Sequence, residues 1–227
     1  MFLGNRFDKT SALAVIRTTG IVAIMRAASP DNLLPAAEAL RAGGVLAIEV
    51  TLTTPGALTV IEQAVQKFRS EVVFGAGTVL DPESARAAIQ AGAQFIVCPT
   101  LNLRTIELCK RYSVPVMPGA YTPTEVLTAW EAGADLVKLF PADIGGPAYL
   151  KAIKAPLPQV SLAPTGGVDV HNAGEFIRAG ADALGVGSAL INHTLLEMGD
   201  WTAITEQARR FRAAVDAARQ QADPRHG

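Results

Sequence analysis

Two ionisable residues stand inside largely apolar runs: Lys138 in Leu136-Val137-Lys138-Leu139-Phe140-Pro141 and Glu49 in Ala47-Ile48-Glu49-Val50-Thr51-Leu52. An unpaired charge removed from water is costly, and chemistry is a common reason for keeping one. Strand alternation puts Leu136, Lys138 and Phe140 on one face, with Val137 and Leu139 on the other. Desolvation favours the neutral amine, a nucleophile able to attack a carbonyl and form an imine. Ala47, Glu49 and Thr51 likewise share a face. A carboxylate there could carry protons to and from the carbon beside an imine, directly or through one water. Two blander readings stay open: a lysine at a strand terminus can snorkel to water, and a lysine with a glutamate can form a structural ion pair.

A third constellation is glycine-rich. Pro164-Thr165-Gly166-Gly167-Val168 and Gly185-Val186-Gly187-Ser188 each follow an apolar run. Glycine lets backbone N–H groups approach an anion closely, and a short helix starting there would add a favourable dipole. Phosphate or carboxylate binding is the predicted role. A metal is not expected, because the three histidines, His171, His193 and His226, form no His-x-His pair or carboxylate cluster. His171 and His193 read as loop or helix-start residues. Without a Gly-x-Gly-x-x-Gly turn between a strand and a helix, a dinucleotide cofactor is not expected either.

What could position these groups is a repeated strand–helix unit. Short apolar runs occur at 20–25, 45–51, 72–75, 94–98, 114–117, 135–140, 160–163 and 183–186. Between and after them lie helical patterns at 30–42, 55–68, 82–91, 103–111, 122–132, 147–154, 172–179 and 201–217. Ser29-Pro30, Asp81-Pro82 and Thr122-Pro123 read as helix caps ahead of proline, and Ala-Gly at 42–43, 91–92, 132–133 and 179–180 as left-handed helix ends. Eight such units predict parallel strands closed into a (β/α)8 TIM barrel of the α/β class, with an extra helix near Lys9–Thr18 over its floor. In that fold the reactive groups gather at the C-terminal ends of strands. There the sequence offers Arg26, Glu49, Thr78, Pro99-Thr100, Gly119, Lys138, Thr165-Gly166-Gly167 and Gly187-Ser188.

Composition narrows the partners. The 227 residues are 49% hydrophobic and 18% charged with a formal net charge of −1, so neither nucleic acid nor an anionic membrane has a charged face to hold. No apolar run reaches a membrane span, and residues 1–9 lack the order of a signal peptide, so a cytoplasmic protein is expected. Cys98 and Cys109 read as reduced, partly buried thiols. One domain over 1–227 is expected, with an N-terminal helix in 1–19, the barrel over 20–218 and a loose tail at 219–227.

Taken together, Val22-Ala23-Ile24-Met25-Arg26, Ile48-Glu49-Val50-Thr51-Leu52-Thr53-Thr54-Pro55, Gly75-Ala76-Gly77-Thr78-Val79, Lys138-Leu139-Phe140-Pro141-Ala142, Gly146-Pro147 and Pro164-Thr165-Gly166-Gly167-Val168 resemble the class I 2-keto-3-deoxy-6-phosphogluconate (KDPG) and 4-hydroxy-2-oxoglutarate (KHG) aldolases, from Ile21 to about Leu190. The resemblance implies a homotrimer acting on a phosphorylated 2-oxo sugar acid without a cofactor, with Lys138 as the Schiff-base lysine and Glu49 as the acid/base. It further implies that Arg26, Thr78, Pro99 and Phe140 line the substrate pocket, that Thr165 and Gly166 lie near the pyruvyl carboxylate, and that Gly167, Gly187 and Ser188 form the phosphate end. Some members carry arginine where this chain has Thr53, so preference between the gluconate- and galactonate-derived substrates stays open. An isomerase or decarboxylase on a phosphate-binding barrel, or a barrel that only senses a sugar acid, are the rival readings.

Overall fold

The computed structural model describes residues 7–222, so the looseness expected of 223–227 lies outside the described residues. In chain order the elements are α1 (Lys9–Thr19), β1 (Ile21–Met25), α2 (Leu33–Ala42), β2 (Ala47–Thr51), α3 (Ala57–Phe68), β3 (Val73–Gly77), α4 (Pro82–Gln90), β4 (Ile96–Val97), α5 (Leu103–Arg111), β5 (Val116–Met117), β6 (Gly119–Ala120), α6 (Pro123–Glu131), β7 (Val137–Leu139), α7 (Gly146–Lys154), β8 (Leu162–Pro164), α8 (Ala173–Arg178), β9 (Leu184–Val186), α9 (His193–Met198) and α10 (Trp201–Ala222).

The strands are parallel and form two ladders, β5-β4-β3-β2-β1-β9 and β6-β7-β8. A parallel bridge between Thr165 and Gly185 joins β8 to β9 at one seam. At the other, the fifth strand runs past its predicted end at 117 and is broken at Pro118, which has no N–H to give a ladder. Its first half pairs with β4 through Ile96 and Val116, and its second with β7 through Gly119 and Lys138. Among the described residues, nine short strands thus make the eight staves of a TIM barrel.

Alternation sorts the side chains as expected. Leu136 joins Val22, Ala47, Val73, Phe95, Val97, Met117, Ala163 and Ala183 in an inner cluster, while Val137 and Leu139 belong to the outer layer between strands and helices. Ala12 and Ile16 of α1 are fully buried in that inner cluster, so the N-terminal helix closes the floor.

Helix punctuation was only partly legible. Asp81 accepts from Ser84 N at 2.6 Å, and Thr122 with Glu125 forms a capping box. Ser29-Pro30, however, does not start a helix: α2 begins at Leu33 after Asn32, and the Ser29 hydroxyl instead bonds Asp31 at 2.6 Å. Gly92, Gly133 and Gly180 adopt the predicted left-handed conformation, whereas Gly43 does not and Gly44 takes that role. The short helix α9 escaped the sequence reading, although Asn192 caps it through Leu195 N at 2.8 Å and left-handed Gly199 ends it. The last helix continues to Ala222, past the predicted start of a loose tail at 219, because Val215 and Ala218 remain buried against the barrel.

Candidate active site

The eleven residues to which the family resemblance gives a role line one cavity of about 860 Å³ at the C-terminal mouth of the barrel: Arg26, Glu49, Thr78, Pro99, Lys138, Phe140, Thr165, Gly166, Gly167, Gly187 and Ser188. Thr53 lines it as well. Its hydroxyl lies 3.1 Å from that of Thr51, which in turn lies 3.3 Å from that of Thr54, and Ala27 N donates to Thr54 at 3.2 Å.

Lys138 and Glu49 sit in mid-strand rather than in the loops, and both point inward. Lys138 is 8% exposed and Glu49 2%. They share the inner face with Val22, Val97, Met117 and Ala163 immediately below them. Burial pushes the Glu49 carboxyl above its ordinary range; the positive charges of Lys138 and then Arg26 oppose that rise without cancelling it. Among the described residues neither side chain closes an ion pair within 4.0 Å, so the structural salt bridge considered for this couple does not form. The Lys138 Nζ lies 5.2 Å from the centroid of the Phe140 ring, which is half open to solvent at the rim.

Thr78 occupies the next stave with φ at +57°, a conformation that a β-branched residue adopts only under constraint. On the far side, Thr165 is buried beside Gly185, where an added Cβ would come within 2.2 Å of the Thr165 hydroxyl oxygen. The following turn requires glycine, since Gly166 and Gly167 have φ of +94° and +67°. Asn172 pins it by donating to Gly167 O at 2.8 Å, and among the described residues the Gly166 and Gly167 N–H groups donate to no protein acceptor. These groups can receive an anion. Of the nearby carboxylates, Asp143 packs on Gly167, and Asp169 is occupied by the N–H groups of His171 and Asn172 at 2.8 and 3.0 Å.

Asp169 and His193 also line the cavity, and no local sequence signal marks either for it. His193 was expected only as a loop or helix-start residue. It is the first residue of α9, its Nδ1 3.1 Å from Glu197 Oε2, and it lines the cavity together with Gly187, Ser188, Ala189 and Ile191 of the segment after the last strand. Thr100 and Gly119 do not line the cavity; Gly119 instead lets Pro99 approach, its position leaving 2.2 Å from an added Cβ to Pro99 O. Cys98 and Cys109 are free and fully rather than partly buried, and burial pushes both thiols up to about 12. Among the described residues no cluster of three or more His, Cys, Asp or Glu could hold a metal, and no helix is long and apolar enough to cross a membrane.

A family model described as KDPG and KHG aldolase matches residues 13–207. The chain belongs to that aldolase family. Family members include the 2-dehydro-3-deoxy-phosphogluconate aldolase of Pseudomonas aeruginosa, 34% identical over 90% of this chain and 94% of its own. The 2-dehydro-3-deoxy-6-phosphogalactonate aldolase of Escherichia coli is 38% identical over 75% of this chain and 83% of its own. Among solved structures, KDPG aldolase from Legionella pneumophila, with pyruvate captured as a covalent carbinolamine, superposes with a TM-score of 0.81 at 31% identity, covering 87% of this chain and 96% of that one. Membership makes this chain a lyase of the aldolase type with a family barrel around the mouth described above.

Proposed function

We propose that this aldolase cleaves 2-keto-3-deoxy-6-phosphogluconate to pyruvate and glyceraldehyde 3-phosphate through an imine on Lys138. The observation that carries the reading is that Lys138 is the single lysine among the described residues lining the cavity, and it is held beside a buried carboxylate. The covalent pyruvate carbinolamine of the Legionella relative is the first adduct such a mechanism needs.

The neutral Lys138 amine adds to the C2 carbonyl, and the carbinolamine loses water to give an iminium ion. Loss of the C4 hydroxyl proton turns that C–O bond into a carbonyl and breaks C3–C4. The bonding pair passes to the iminium nitrogen, leaving an enamine. Glu49, directly or through one water, accepts that proton and delivers one to C3; burial holds its carboxyl above the ordinary range, which makes it a better proton acceptor than an exposed carboxylate. Hydrolysis of the pyruvyl imine restores the amine and the water lost earlier. Because the iminium is the electron sink, activity should survive EDTA.

In this reading Thr165 and Gly166 hold the pyruvyl carboxylate, Gly167, Gly187 and Ser188 the phosphate, and Arg26, Thr78, Pro99 and Phe140 the remainder of the substrate. The gluconate-derived substrate is favoured over its galactonate epimer because the Pseudomonas relative matches more of this chain than the galactonate enzyme does. Cleavage of 4-hydroxy-2-oxoglutarate to pyruvate and glyoxylate uses the same bonds. A homotrimer, as the family resemblance implies, is testable by light scattering. The two free thiols support a reducing, cytoplasmic setting.

Incubation with pyruvate and borohydride tests the core of this reading. Peptide mass analysis should find a reduced pyruvyl adduct on Lys138; an unmodified Lys138 in folded protein would overturn it. Relative kcat/KM for the three substrates then ranks them.

A further inference from the structure

The motif Gly75-Ala76-Gly77 gives β3 two lumenal positions without a side chain, and each is filled from a neighbouring stave. A Cβ on Gly75 would meet the Phe95 ring at 2.6 Å. A Cβ on Gly77 would meet Glu49 Oε1 at 2.5 Å, its Cδ at 2.7 Å and its Cγ at 3.2 Å, and those three atoms are its nearest neighbours. The register explains the second contact: Glu49 pairs with Gly75 and Thr51 with Gly77, so the Glu49 side chain leans two pairs along the ladder, towards the mouth.

We propose that Gly77 is a positioning residue for the aldol cleavage: its missing side chain is the space that seats the Glu49 carboxylate within reach of the substrate bound to Lys138. The proposal rests on Glu49 as proton carrier. Backbone strain is not the reason for glycine here, because Gly77 is absent from the residues of positive φ, and its carbonyl is fixed by Leu52 N at 2.8 Å. An alanine would therefore fit the strand and collide with the carboxylate, which must turn away.

The test is a double-mutant cycle in steady-state kinetics. Gly77→Ala should lower kcat about tenfold or more with KM within about twofold, because a carboxylate misplaced by about 1 Å loses proton transfer rather than binding. Glu49→Asp shortens the side chain and withdraws its carboxylate from the contact, so adding Gly77→Ala to Glu49→Asp should cost less than about threefold more. An equal penalty in both backgrounds, or wild-type kcat for Gly77→Ala, overturns the positioning role. If Gly77→Ala does not fold, folding of Gly77→Ala/Glu49→Asp still supports the contact, and failure of both overturns it. Glu49→Gln separates the premises: wild-type kcat there removes Glu49 as proton carrier and the proposal with it, whereas impaired Glu49→Gln beside normal Gly77→Ala removes the proposal alone.

Discussion

The floor and the mouth of this barrel are built from the same strands and differ by one layer of side chains. The floor is closed by α1 and packed with Phe95, Leu136, Met117 and small or branched residues, all essentially without solvent contact. The mouth, one step along each strand, holds Glu49, Lys138 and Thr165 at 8% exposure or less, plus a backbone held at an unfavourable φ at Thr78. The difference teaches that the floor supplies the stability that the mouth gives up. Buried charge and constrained backbone persist only where surrounding packing over-determines them.

The largest effect that would test this division is Lys138→Ala. It should lower kcat/KM by at least about a thousandfold while leaving the melting temperature at or above wild type, since a buried amine is no asset to folding. A large loss of stability with it would make the lysine structural. Next, Glu49→Gln should lower kcat by about a hundredfold or more. Its stability effect has a definite sign. With the folded carboxyl raised, the folded chain keeps a proton that the unfolded chain has released, so wild-type stability falls as pH climbs from the ordinary carboxyl range through the folded value. The melting temperature of Glu49→Gln minus that of wild type should therefore widen with pH across that window; a flat difference would deny the raised carboxyl.

Phe95→Ala reverses the pattern. It empties the space against Gly75 and should cost about 3–5 kcal/mol in denaturant unfolding, with kcat changed far less than by either mouth substitution. Smallest is Thr78→Gly. Relief of the left-handed strain outweighs the added freedom of the unfolded glycine, so the chain should gain up to about 1 kcal/mol while KM rises. A destabilised Thr78→Gly would show that the threonine side chain, rather than its backbone, is held at the mouth.

How much of this was legible depended on range. Asp81 and Thr122 announced their helices because a cap is a contact between residues three apart. Ser29 looked equivalent but found Asp31 as a closer partner, and the helix began three residues after Pro30. His193 carried no signal for the cavity, since only the course of the segment after the last strand brings it there. Gly77 was visible within a motif, but its purpose required the neighbouring strand.

By itself, the sequence determined the alternation along each strand, and with it the inward direction of Lys138 and Glu49, because side-chain direction in a strand follows from local backbone geometry. The repeat of strand and helix likewise determined the number of staves, and hence a closed barrel. Only the tertiary structure decided how the barrel closes: the break at Pro118, the seam between Thr165 and Gly185, and the register that lays the Glu49 carboxylate over Gly77 rather than against Lys138. Those are pairings between residues far apart in the chain, and register between strands is set by packing across the barrel, which no local pattern encodes.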